Sequence, residues 1–226
     1  MTSRREQKEA LRRERAEREA AAAASARLKR RLGLVAATVI VVVAVIAVAA
    51  VALSGGGSSN SSQAASATYP KESIPAAKSV GLQDAAKAAG CVLKNYPDFG
   101  NTHVTSKVTY KTNPPTSGNH NPVPADDDVY AKAPPKENTV HTLEHGRIEL
   151  QFKPGTPAKV RGQLKALFDE DAYHMVLMPN QTGMPYEVAA TAWTHLIACN
   201  QVNDNTWDAL RAFKTAYRDQ APERVP

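Results

Sequence analysis

His141-Thr142-Leu143-Glu144-His145-Gly146-Arg147-Ile148-Glu149-Leu150-Gln151-Phe152 is the stretch from which the fold can be read. From Arg147 onward, Ile148, Leu150 and Phe152 alternate with Arg147, Glu149 and Gln151. That period of two predicts a half-buried central strand, apolar on one face and polar on the other. Just ahead of it, His141 and His145 stand four apart, with Glu144 beside the second. A spacing of four puts both imidazoles on one side of the backbone, whether helical or extended. Two imidazoles so placed can hold a transition metal.

Beyond Phe152, Pro154-Gly155 turns the chain, and Thr156-Pro157 predicts a helix start, Thr as cap and Pro first. Val160, Leu164 and Leu167 are its apolar stripe. Tyr173 to Met178 reads as a short strand, with His174, Val176 and Met178 on one face and Tyr173, Met175 and Leu177 on the other. After a loop from Pro179 to Pro185, Val188 to Cys199 reads as one long strand carrying Trp193, His195 and Ile197 on one side. Asp204 is placed to cap a last helix whose stripe is Trp207, Leu210, Phe213 and Tyr217.

On the other side, residues 112 to 138 hold Pro114, Pro115, Pro122, Pro124, Pro134 and Pro135, which fit neither a ladder nor a helix interior. A loop of this length in a compact domain is functional or disordered. Ahead of it, His103 to Tyr110 alternates as a strand would, and Val80 to Ala89 reads as a helix stopped by Gly90. The order predicts an α+β fold, a mixed sheet of about four strands covered by helices. Its last five elements follow the order of the second half of a thioredoxin-like fold. The chain has no Cys-x-x-Cys, so that likeness supplies no redox chemistry.

The chain is 226 residues long, and its net charge of +6 lies wholly in residues 1–31, where eleven Lys/Arg face five Glu. The remainder is neutral, which argues against a nucleic-acid-binding domain. Gly33 to Leu53 carries no charge. At about 1.5 Å per residue it matches the roughly 30 Å core of a bilayer. A cleaved signal peptide would have a shorter apolar core. The expected organisation is a cytoplasmic basic helix over 1–31, a transmembrane helix over 32–53, a flexible Gly/Ser linker over 54–68 and an extracytoplasmic domain over 69–226. The lipid bilayer is then one partner, and an envelope protein is another candidate. Cys91 and Cys199 both fall in the exported part, where a disulfide is expected.

Pro114-Pro115-Thr116-Ser117-Gly118-Asn119-His120, Tyr130 and Val140-His141-Thr142-Leu143-Glu144-His145-Gly146 together resemble the signature of a bacterial family known as domain of unknown function 3105. The resemblance covers roughly residues 69 to 219. It implies a short N-terminal region, one membrane span and an extracytoplasmic domain, and it implies no activity. The chain departs from the usual small residue at Asn119 but keeps His120. The likeness reinforces His120, His141, Glu144 and His145 as the site.

The donors available to a metal are His120, His141, His145, His174, Met178 and Glu144, with Met175 and Met184 as further thioethers. Thioether with imidazole suits copper, above all Cu(I), and zinc ranks behind it. His103 reads as a surface residue on the polar side of its strand, and His195 as a packing residue beside Trp193. Two other readings compete. His141-x-x-Glu144-His145 matches the H-x-x-E-H pattern of inverted zinc peptidases, but an alternating strand follows where a helix should continue. Alternatively, the same residues form a polar network that orders the loop in a partner-docking domain.

Overall fold

The computed structural model describes residues 69–223 and Val225. The regions read as basic helix, transmembrane helix and linker lie outside the described residues. Among the described residues no helix is long and apolar enough to cross a membrane. In chain order the elements are α1 (Leu82–Ala89), β1 (Val92–Asn95), α2 (Lys136–Glu144), β2 (Ile148–Phe152), α3 (Ala158–Glu170), β3 (Met175–Pro179), β4 (Val188–Ala192), β5 (His195–Cys199) and α4 (Thr206–Tyr217). The fold is α+β, with one mixed five-stranded sheet in the order β1-β5-β4-β2-β3.

Strand β2 pairs in parallel with β3 and antiparallel with β4, which makes it the interior strand that the alternation of Ile148, Leu150 and Phe152 announced. Those three side chains join Met175, Leu177, Leu164, Leu167, Trp207 and Phe213 in the main core, which the helices α1, α3 and α4 cover. Full burial of each such side chain is worth roughly 1.5–3 kcal/mol. The stripes of α3 and α4 lie where their spacing put them, with Leu164, Leu167, Trp207, Leu210 and Phe213 buried.

The opposite face of β2 is not solvated. Glu149 and Gln151 are 2% and 3% exposed. The proline-rich segment and α2 lie over them, with Tyr130 packed on Val176 and Met178, and Val140 and Leu143 on Trp193. The expected half-buried strand is therefore buried on both faces.

Four other expectations are corrected. Residues 103–110 form no strand, only a single bridge from His103 to His120. The carboxylate of Glu137 instead accepts the N–H of Val108 at 3.0 Å. The stretch 188–199 is a hairpin, turning at Trp193-Thr194 with Thr194 in the left-handed region at φ 63°. The loop read up to Asn138 contains the start of α2. Neither Thr156 nor Asp204 caps a helix: Pro157 and Asn205 hold those positions, without a side-chain cap bond. Asn203 does part of that work, its Oδ1 accepting the N–H of Asn205.

The short strand β1, unread in the sequence, is the sheet edge beside β5. A disulfide joins Cys91, just ahead of it, to Cys199 at the end of β5, as expected.

Candidate metal centre

Two segments build the site, and neither supplies it alone. Helix α2 presents His141 and Glu144 from its last turn, with His145 just past its end. The loop Thr116–Asn121 runs across that helix and delivers His120. The loop is held in place at several points. Thr194 donates its N–H to the carbonyl of Thr116 at 2.9 Å, and the Tyr110 hydroxyl donates to the carbonyl of Asn119 at 3.0 Å. Gly118, at φ +131°, lies so close to the Tyr110 ring that a Cβ there would sit 3.1 Å from it.

Reciprocal backbone bonds then bring in a third segment. Val104 N–H donates to the His120 carbonyl at 2.7 Å, and His120 N–H to the Thr102 carbonyl at 3.1 Å. This bridge sets His103 against the cluster. One ligand atom from each of His103, His120, His141 and Glu144 lies within 4.8 Å of all the others. The rings of His103 and His120 each stand 4.7 Å from that of His141.

The orientation of the imidazoles is set by the loop backbone. His120 Nδ1–H donates to the carbonyl of Gly118 at 2.8 Å, and His141 Nδ1–H to that of Asn121 at 2.6 Å. With Nδ1 so engaged, Nε2 is the ring nitrogen left to ligate: that of His120 faces Glu144 and that of His141 faces His145. Outer hydrogen bonds of this kind aim metal-ligating histidines. His120 Nε2 lies 2.9 Å from Glu144 Oε2, with both side chains almost wholly buried. Neither atom has a well-aligned hydrogen-bond partner among the described residues. Trp193 closes the wall behind His120, its ring edge-on at 6.0 Å.

Burial dominates the electrostatics. It lowers the pKa of His141 to about 4, against the bond to Asn121 that favours the charged form. It lowers His145, with Arg147 adding to the effect, and raises Glu144 despite the neighbouring His120. Neutral imidazoles are the ligating form.

His145 sits at the rim, its Nε2 2.9 Å from His141 Nε2 and 3.3 Å from Glu223 Oε2. His174 and Met178 are not in the cluster. His174 does not share a strand face with Met178 but precedes β3 at φ 51°, pairs with Asp219 at 2.6 Å and stacks on Tyr173. Met178 is core, against Tyr130 and Val176. Met175 and Met184 are likewise buried in apolar clusters.

His103 was missed because its place depends on pairing with a loop residue seventeen positions away. Glu223 was missed for a similar reason. A backbone bond to the Glu144 carbonyl at 3.1 Å brings it in from beyond the last helix. The sequence offered no local signal for either.

A small α+β domain in which a histidine-bearing loop closes over the end of a histidine- and glutamate-bearing helix is the class that this geometry defines. The chain belongs to the family described as Protein of unknown function (DUF3105), whose pattern matches residues 103–225. No curated protein and no solved structure matches it.

Proposed function

We propose that this domain binds a divalent transition-metal ion between His103, His120, His141 and Glu144. The observation that carries the reading is the facing pair of His120 Nε2 and Glu144 Oε2. Two buried lone pairs pointed at each other need positive charge between them, either a proton or a metal ion. His141 supplies a third donor, and His103 a fourth. Tetrahedral bonds of about 2.0–2.1 Å place ligand atoms about 3.4 Å apart. The cluster, within 4.8 Å, closes to that by small rotations, and His103 at the exposed edge has room to make them.

Three imidazoles and one carboxylate suit zinc(II) or copper(II). Copper(I) loses the support it had from Met175, Met178 and Met184, because all three are buried in apolar clusters. The test is a thermal melt of the purified full-length chain with Zn(II), Cu(II) and Cu(I), since an ion that binds only the folded state must raise the midpoint. Zn(II) or Cu(II) should do so and His120→Ala should abolish the shift. If neither ion moves the midpoint while His120→Ala still destabilises the domain, the cluster is a structural polar network.

The hydrolase reading regains one point, since α2 is helical through Glu144. It loses another, because Glu144 lies among the ligands instead of standing free to act as a base. We place the domain outside the cytoplasm, tethered to the bilayer by residues 32–53, where it can meet an envelope partner. The disulfide supports an oxidising compartment. A tag fused after Pro226 should be digested by protease added to intact cells, and a protected tag would reverse this placement.

A further inference from the structure

Resting on that metal reading, we infer that the ion has a second, outer seat formed by His141, His145 and Glu223, and that it is exchanged through this seat. One ligand atom from each of these residues also lies within 4.8 Å of the others. The two ligand sets share His141. Its Nδ1 is committed to the carbonyl of Asn121, so only Nε2 can ligate, and one lone pair serves one ion. The seats are therefore alternatives, and one ion can move between them without letting go of His141.

The hydrogen-bonding at the rim points the same way. His145 Nε2 has either one proton or one lone pair, yet it faces both His141 Nε2 at 2.9 Å and Glu223 Oε2 at 3.3 Å. With His141 Nε2 acting as an acceptor, two acceptors compete for at most one proton. A cation at that point would satisfy all three groups.

The outer set opens to solvent at Glu223, whose side chain is 48% exposed, with His145 at 12%. The inner set is buried at His120 and Glu144, 0% and 2%, and open at its far edge through His103, 46%. The main chain at Glu223 is anchored, because its backbone N–H is bonded to the carbonyl of Glu144. An ion arriving on the Glu223 side would meet a carboxylate and a partly exposed imidazole, then pass by His141 to the buried pair.

The experiment loads the full-length chain with Zn(II), counts ions per chain by elemental analysis, and follows loading and chelator-driven release in wild type, Glu223→Gln and His145→Gln. Glu223 is exposed enough that its variant does not endanger the fold. Wild type should hold one ion. Both variants should slow loading and release about tenfold, or about 1.4 kcal/mol in the exchange barrier. Their equilibrium affinity should stay within about threefold. Two ions per chain, or unchanged exchange rates, would overturn the outer seat while leaving the inner site standing. A slowing that disappears at high salt would mean charge steering and would overturn it equally. A wild-type chain that takes up no ion removes both readings.

Discussion

His120 Nε2 and Glu144 Oε2 lie 2.9 Å apart, one from a loop and one from a helix end, and neither has an aligned hydrogen-bond partner among the described residues. A buried acceptor left unpaired costs about 1–3 kcal/mol. The pair therefore marks a costly spot in the fold, relieved by a proton or a cation held between the two atoms.

From this pair comes a contrast between two variants. Glu144→Gln keeps the shape and removes the charge. It should cut zinc affinity by more than the about 10–100-fold typical of losing an outer-shell partner. Without metal it should cost little stability, since no buried carboxylate remains to be satisfied. Isothermal titration and melting of the same samples check both halves. Unaltered affinity in Glu144→Gln would take Glu144 out of the ligand set.

A second prediction concerns Glu149, at the buried centre of β2. Its Oε2 accepts from Gln151 Nε2 at 3.0 Å and Thr191 Oγ1 at 3.2 Å. Burial outweighs those bonds and pushes its pKa up to about 8 from 4.5. With the folded pKa raised, the unfolded chain gives up this proton first. The stability that Glu149 contributes is full below about pH 4.5 and is lost as pH rises to about 8. The loss is on the order of a few kcal/mol. Glu149→Gln should flatten that slope, so the variant gains on wild type from about pH 5 to about pH 9. Urea unfolding across that range measures it, and parallel curves for the two proteins would refute it.

The disulfide provides a third. Cys91 and Cys199 close a loop with a sequence separation of 108, and they hold the edge strand β1 to β5. Loop-closure entropy for that length is about 4–5 kcal/mol. The double variant Cys91→Ser, Cys199→Ser should lower unfolding free energy by that order, with β1 and α1 the first to gain amide exchange. A loss below about 1 kcal/mol would show that the reduced chain keeps the loop closed by other contacts.

Gly146 is the fourth. It ends α2 at φ +83°, and a Cβ there would stand 2.8 Å from the Cα of Asp219. The close approach lets Asp219 N–H reach the Gly146 carbonyl at 2.9 Å and carries the chain on to Glu223. Gly146→Ala should cost about 1–3 kcal/mol in backbone strain alone. It should also accelerate proteolysis after α4, as the tail is pushed off. A melting point equal to wild type would mean the tail yields freely.

Much of this protein was legible because local spacing and tertiary burial agree. Ile148, Leu150 and Phe152 alternate, and Leu164 with Leu167 and Trp207 with Leu210 and Phe213 recur at helical intervals, so each face met the core its period implied. His120, His141 and Glu144 stood among the candidates the sequence offered, along with His145 and with His174 and Met178, of which the last two lie apart from the cluster.

Other features were decided only by tertiary contacts. Helix α2 is Lys136–Glu144, a polar segment after two prolines with no clean apolar stripe, and seven of its nine residues are buried. It is stable because the loop above it supplies partners for its polar groups, as Asn121 does for His141. The hairpin at Trp193-Thr194 turns on a threonine in the left-handed region, a conformation that β-branched residues seldom announce. Glu149 looked solvent-facing because period two reports that the two faces differ, not what covers the second one. His103 and Glu223 joined the rim for the same kind of reason: backbone bonds to His120 and to Glu144 brought them there, across distances in sequence that no local pattern encodes. The sequence determined which side chains of ligand type the chain carries and which faces had to be buried. The long-range backbone pairing decided which of those side chains meet, because only a folded loop can aim an imidazole.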